Sequence, residues 1–208
     1  MFTGIVSGIG RIVDVRALGG GAEFGNALRV EAPAGWLAGS AVGDSIAMNG
    51  ACMTIVSLRN DGDTFDVEVS AESLAATHGL GAPGEINLEK SLRAGDRLDG
   101  HLVGGHVDGV GVVSRFERVG ESWALRVEAP LALARFLAQK GSVAIDGVSL
   151  TVNRVVDAPA ACEFAVNLIP HTVAHTSLRN LTRGARVNLE IDTIARYVER
   201  MLASGPAR

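Results

Sequence analysis

A chain of 208 residues, 47% hydrophobic and 20% charged, has the length for one large domain or two small ones and the apolar content for ordinary cores. Aromatics make up only 4%, so those cores must rest on Val, Ile, Leu and Ala. A net charge of −4, no run of Lys or Arg and no apolar stretch of about eighteen residues exclude a nucleic-acid footprint and a membrane-spanning helix.

The opening Met1-Phe2-Thr3-Gly4-Ile5-Val6 lacks the basic region and long apolar core of a signal peptide. Four β-rich runs then predict strands at 27–31, 45–48, 53–58 and 65–69, bounded by Gly, Asn or Asp. In the last of them, Phe65-Asp66-Val67-Glu68-Val69 alternates apolar and polar residues, as a half-buried strand requires. Pro33 introduces a short, Gly-interrupted helical stretch, and residues 73–77 make a turn or two of helix. After Ile86-Asn87-Leu88-Glu89 comes a linker rich in Arg, Asp and Gly, 91–100.

Beyond the linker the chain repeats itself. Ala27-Leu28-Arg29-Val30-Glu31-Ala32-Pro33 recurs letter for letter 97 residues on, as Ala124-Leu125-Arg126-Val127-Glu128-Ala129-Pro130. At the same shift Asn49-Gly50-Ala51-Cys52-Met53-Thr54 faces Asp146-Gly147-Val148-Ser149-Leu150-Thr151. At a shift of 101, Gly4-Ile5-Val6-Ser7-Gly8-Ile9-Gly10 faces Gly105-His106-Val107-Asp108-Gly109-Val110-Gly111. That period is too long for a solenoid and suits a small whole domain. Strands are expected again at 124–128, 143–145, 150–155 and 164–168. Pro130 is placed as the first residue of a helix whose apolar face is Leu131, Leu133, Phe136 and Leu137. A further helical turn is expected at 171–176. Short strands with few helices suggest an all-β fold, one small closed barrel per half.

After Val187-Asn188-Leu189-Glu190 the second copy continues into a helix, 192–204, with no counterpart in the first. Asp192 is its N-cap; Ile194, Val198, Met201 and Leu202 form one apolar stripe; Gly205-Pro206 stops it. A lone terminal helix with such a stripe reads as an oligomer contact rather than a helix folded back on its own barrel. The expected division is therefore 1–97 for the first barrel, 98–190 for the second and 191–208 for the terminal helix and tail.

Little in the chain resembles standard catalytic machinery. There is no phosphate loop and no Gly-x-Ser-x-Gly elbow, and His101 and His106 make a poor metal pair, so no metal is expected. Cys52 and Ser149 share one repeat position, Thr54 and Thr151 another; at a barrel mouth such groups can hydrogen-bond a polar ligand. Cys162 lacks that context and reads as structural, while His78 and His175 read as solvated. The cysteines have no zinc-type spacing, and a soluble cytoplasmic protein with free thiols is the economical reading.

The opening hexapeptide, Asn49-Gly50-Ala51-Cys52-Met53-Thr54, Gly100-His101-Leu102-Val103-Gly104-Gly105-His106-Val107, Asp146-Gly147-Val148-Ser149-Leu150-Thr151-Val152 and Leu168-Ile169-Pro170-His171-Thr172 together resemble the riboflavin synthase family (the α-chain type). The resemblance runs from Met1 to about Leu202. It implies two six-stranded lumazine-binding barrels, no cofactor, and dismutation of two 6,7-dimethyl-8-ribityllumazine molecules by transfer of a four-carbon unit, giving riboflavin and 5-amino-6-ribitylaminouracil. It further implies a homotrimer gathered by the terminal helices, with the first barrel of one subunit facing the second barrel of its neighbour. Docking to lumazine synthase is left open.

Carried over by motif, Gly4, Ile5 and Val6 are expected to line the first site with Cys52, Met53, Thr54, Glu68, Val69, Ser70, Ala71, Glu72 and Ser73. Gly105, His106, Val107, Lys140, Ser149, Leu150, Thr151, Ile169, Pro170, His171, Thr172, Val173 and Ala174 are expected to line the second. Phe2, Ser45, Cys52 and His106 are the positions expected to serve catalysis. His171 stands where the family often has Glu, and Ser73 where Thr is common. The rival readings are a non-catalytic lumazine or flavin carrier on the same double barrel, and a flavin-dependent oxidoreductase barrel. The latter needs a companion nucleotide-binding domain for which 208 residues leave no segment.

Overall fold

Each run expected as a strand is one, and the repeat adds two more per half. The structure, a computed structural model, describes residues 1–21, 23–59 and 62–203. In the first half β1 (Gly8–Ala17), β2 (Asn26–Glu31), β3 (Ser45–Met48), β4 (Ala51–Leu58), β5 (Thr64–Val69) and β6 (Gly84–Lys90) close in the order β1-β2-β5-β4-β3-β6. In the second, β7 (Gly109–Val119), β8 (Ser122–Pro130), β9 (Ser142–Ile145), β10 (Val148–Asp157), β11 (Ala161–Leu168) and β12 (Arg186–Ile191) close in the equivalent order β7-β8-β11-β10-β9-β12. Among the described residues three α-helices complete the fold: α1 (Ala71–Ala76), α2 (Pro170–Ala174) and α3 (Thr193–Ala203).

Alternation decides which side chains fill each barrel. Phe65, Val67 and Val69 of β5 are buried with Ile12, Leu28, Val30, Met53 and Ile55, while Asp66 and Glu68 face outward. The second barrel is filled likewise by Val113, Leu125, Val127, Val152 and Phe164. The bends that close so small a barrel are repeated too: register shifts between Ile12 and Asp14 and between Ile55 and Ser57 recur between Val113 and Arg115 and between Val152 and Arg154.

Two helical expectations need correction. The segment after Pro130 is a 3₁₀ turn, Leu131–Phe136, and Pro130 is not its first residue but the end of β8. Its closing bond runs from Leu137 N–H to Ala134 O, three residues back; Leu133 and Leu137 are buried but Leu131 points outward. After Pro33 there is only a chain of turns, because Gly35 and Gly39 adopt left-handed φ values of 72° and 74° that an α-helix cannot accommodate. In α3, Asp192 Oδ1 accepts the Ile194 N–H at 2.9 Å, the expected cap. The stop at Gly205-Pro206 lies outside the described residues.

The barrels meet across a pseudo-twofold seam. Asn49-Gly50 and Asp146-Gly147 are matched two-residue hairpin turns, all four residues with positive φ. A Cβ on either glycine would stand 2.8 Å from the other's backbone nitrogen, so the turns touch only because both lack one. Asn87 Nδ2 donates to Asp146 O and Asn188 Nδ2 to Asn49 O, both at 2.9 Å. Phe2 and Val103 form an antiparallel bridge at the centre, buried with Ala47 and Ala144. Around this centre each half's leading segment crosses to the other barrel: Val6 packs on the second core, Val107 on the first.

One position breaks the symmetry by a charge. Asn49 Oδ1 accepts the Asn87 N–H and Asp146 Oδ1 accepts the Asn188 N–H, each at 2.8 Å. Burial pushes the Asp146 carboxyl up to about 7 against an ordinary 3.8. The folded state therefore holds that proton more tightly than the unfolded chain, so stability is present below the ordinary value and lost as pH rises through 7. Asp146→Asn, which keeps the bond to Asn188, should raise the melting temperature more at pH 8 than at pH 5. An equal change at both values would contradict this account of the seam.

Candidate functional site

Side chains in β4 alternate, and this decides where the reactive groups stand. Met53 and Ile55 enter the first core, so Cys52 and Thr54 lie on the barrel's outer wall rather than at a mouth as expected. Thr151 is likewise exposed and Ser149 half-buried on β10, while Leu150 turns inward. Register places Ala47 opposite Cys52 and Ser45 opposite Thr54, so Ser45 shares that outer wall two residues from the Cys52 pair.

The first pocket lies against this wall. It has a volume of about 250 Å³ and is bordered by Cys52 and Met53, by Glu72, Ser73 and Thr77, and by Gly105, His106 and Val107. The second group comes from α1, whose N-terminus is capped by Ser70 Oγ accepting the Ser73 N–H at 3.0 Å. The third comes from the other half of the chain. Cys52 N–H donates to Gly105 O at 2.8 Å, and a Cβ on Gly105 would meet the Cys52 Cβ at 2.6 Å. The twofold mate repeats this: Ser149 N–H donates to Gly4 O at 2.7 Å, and a Cβ on Gly4 would stand 2.6 Å from the Ser149 Cβ.

The expected grouping of the two sites is thus exchanged. Gly105, His106 and Val107 belong with Cys52, and Gly4, Ile5 and Val6 with Ser149. The shift of 101 fixes which segments are equivalent but not which barrel each one touches, and the crossing at Phe2 and Val103 sends both to the opposite partner.

The remaining expected residues are less tightly gathered. Val69 is buried in the first core, and Glu68 faces a separate surface cleft with Arg16, Arg29, Arg59 and Asp66. Ala71 opens α1. On the second barrel Ile169, Pro170, His171, Thr172, Val173 and Ala174 form α2 and its cap, the counterpart of α1; Thr176 Oγ1 donates to Thr172 O as Thr77 Oγ1 donates to Ser73 O. His171 stacks on His175 at 4.1 Å, both rings exposed. Lys140 is exposed in a left-handed turn (φ 67°), its N–H bonded to Val152 O as Gly43 N–H is to Ile55 O. Its place in the second site rests on the family resemblance alone. Phe2 is fully buried, its ring beside Gly105.

Three residues were missed. His101 is buried with Nδ1 2.7 Å from Ser149 Oγ, and its Nε2 has no hydrogen-bond partner among the described residues. Burial lowers its pKa, opposed by Asp192, which favours a neutral ring. Glu89 and Glu190, both buried, accept backbone N–H groups from the crossing segments. Their signal was available as the repeated Asn-Leu-Glu within otherwise apolar strands.

A family model for the lumazine binding domain matches twice, at residues 3–91 and 104–192. The chain is 42% identical over 208 residues to riboflavin synthase from Mycobacterium tuberculosis, covering 98% of this chain and 99% of that protein. It is 42% identical over 206 residues to riboflavin synthase from Brucella abortus, covering 97% and 98%. Among solved structures, LumP complexed with riboflavin matches with a TM-score of 0.80 at 22% identity, covering 92% of this chain and 99% of that one. LumP complexed with 6,7-dimethyl-8-(1'-D-ribityl) lumazine matches at 0.77 and 22%, with the same coverage. These two share the fold.

The two thiols should differ in reactivity. Cys52 is half-buried at the pocket, whereas Cys162 is fully buried and its thiol is pushed up to about 11, chiefly by burial. Iodoacetamide at pH 8 should alkylate Cys52 and spare Cys162, read by peptide mass spectrometry of the native protein. Equal labelling of both would contradict the placement.

Proposed function

The chain belongs to the riboflavin synthase family, its lumazine-binding domain present twice, and from that premise we propose that it joins two 6,7-dimethyl-8-ribityllumazine molecules by moving a four-carbon unit from one to the other. Riboflavin and 5-amino-6-ribitylaminouracil are the products. The observation that carries this reading is the identity to riboflavin synthases along nearly the whole chain, both barrels included. The enzyme is accordingly a transferase that needs no cofactor.

The chemistry suits the two walls. One lumazine loses a proton from its acidic C7 methyl while the other is attacked at its ring, and polar groups beside the rings stabilise the anion. In this reading Cys52, His106 and Ser45 act at the first pocket, with His106 the side chain suited to exchange protons near neutrality. Ser149, Thr151 and the Ile169–Ala174 segment hold the second lumazine. Phe2 acts by packing, keeping Gly105 against Cys52. Holding two reactants face to face removes an entropic barrier worth up to about 7–11 kcal/mol, which is why two binding walls suffice without elaborate machinery.

A pocket of about 250 Å³ lies below the roughly 300–1,000 Å³ usual for a ligand cavity, and it is open on one side. A neighbouring subunit supplies the missing wall. The helix α3 is suited to bring it there. Its polar face turns to its own barrel, Arg196 pairing with Asp108 and Glu199 with Arg135, each at 2.6 Å. Ile194, Tyr197, Val198, Met201 and Leu202 point away, 50–78% exposed. Burying that stripe in a trimer is the natural use of it. Free thiols at Cys52 and Cys162 suit the reducing cytoplasm.

Mixed with 6,7-dimethyl-8-ribityllumazine and nothing else, the protein should consume two molecules for each riboflavin formed, followed by absorbance. A spectral shift without turnover would instead identify a carrier. A truncation ending at Asp192 should be monomeric by sedimentation, should still bind riboflavin, and should lose nearly all turnover. Full turnover by a monomer would overturn the shared-site reading.

A further inference from the structure

Two buried carboxylates fasten the crossing segments, and they do so from the barrel opposite the pocket each segment completes. Glu190, near the end of β12 in the second barrel, accepts three successive N–H groups: Gly104 on Oε1 at 2.6 Å, and Gly105 and His106 on Oε2 at 3.0 Å each. Those residues then reach the first barrel, where Gly105 O meets Cys52 N–H. Glu89, near the end of β6 in the first barrel, accepts the Thr3 N–H and hydroxyl on Oε1, both at 2.7 Å, and the Gly4 N–H on Oε2 at 3.0 Å. Gly4 O in turn meets Ser149 N–H on the second barrel.

We propose that Glu190 and Glu89 are crossed positioning residues: Glu190, in the second barrel, sets the wall of the Cys52 pocket, and Glu89, in the first, sets the wall of the Ser149 pocket. The role deepens the proposed function and rests on it. A carboxylate is the group the geometry calls for, since both of its oxygens accept and every opposing group is a donor. A glutamine in either place must turn its own NH₂ toward at least one of those N–H groups, whichever way it rotates. Each side chain is only 4–7% exposed, so water cannot repair the mismatch. Asp108, an acidic neighbour of Glu190, is committed to Arg196 and to the Ile191 N–H. Between Gly104 and His106 all three N–H groups are thereby held by Glu190, while Gly105 O holds the Cys52 N–H.

Cys52 offers a readout independent of turnover. Riboflavin bound in the first pocket should shield it from iodoacetamide, and the total riboflavin bound, by equilibrium dialysis, reports the second pocket as well. Glu190→Gln should need about tenfold more riboflavin to protect Cys52, the loss of one charge-assisted contact, and should bind the other riboflavin as the parent does. Glu89→Gln should protect Cys52 at the parent's concentration and lose about tenfold at the other site. Glu190→Asp, which keeps the charge on a shorter arm, should fall between parent and Gln, and it serves where Glu190→Gln does not fold. Unchanged protection in folded variants of Glu190 would overturn the proposal. So would equal loss at both pockets, or a loss confined to the pocket of the barrel carrying the substitution. A parent protein that neither shields Cys52 nor converts lumazine would refute the proposed function instead.

Discussion

The structure depends on one reciprocal contact, the crossing of two short segments at a twofold axis. Phe2 and Val103 bridge there, and from that bridge each segment runs to the other barrel, ending in Gly4 O on Ser149 N–H and Gly105 O on Cys52 N–H. Backbone groups on an outer barrel wall would otherwise face solvent, and here each finds its partner in the second copy. Only glycine permits the approach, and only a duplicated fold supplies both halves. The seam is thus the surface that turns two closed barrels into two half-built pockets.

That origin explains why the pockets are alike in scaffold and unlike in chemistry. Cys52 borders the cavity on one side of the axis, and Ser149, with His101 on its hydroxyl, holds the equivalent place on the other. Asp146 opposite Asn49 repeats the theme within the seam, a charge placed where its mate has an amide. A reaction between two copies of one substrate asks for this combination: similar binding, different handling of protons. In the proposed trimer the exposed apolar stripe of α3 is what brings a first site to face a second.

Much of this was legible in the chain. The letter-for-letter repeat set the number of domains, and alternation in Phe65 to Val69 set the interior of the barrel. The same shift already put Asn49-Gly50 and Asp146-Gly147 at equivalent positions. What could not be read was which barrel each segment touches, because equivalence under a repeat says nothing about which side of the twofold axis a strand takes. Gly4 is expected with Cys52 and Gly105 with Ser149, whereas the backbone contacts join Gly4 to Ser149 and Gly105 to Cys52. Cys52 is expected at a turn because the strand reads as starting at Met53; β4 starts at Ala51, and alternation with Met53 and Ile55 then puts Cys52 on the outer wall. Glu89 and Glu190 were passed over because a Glu in a strand usually points outward, and only the approaching N–H groups make a buried one sensible.

The crossed construction is open to direct observation in the bound state. Riboflavin held against Cys52 in protein with labelled valine methyl groups should give nuclear Overhauser contacts from the flavin ring to Val107. Contacts from that flavin to Val6, with none to Val107, would mean that each pocket is built from its own half and would contradict the account.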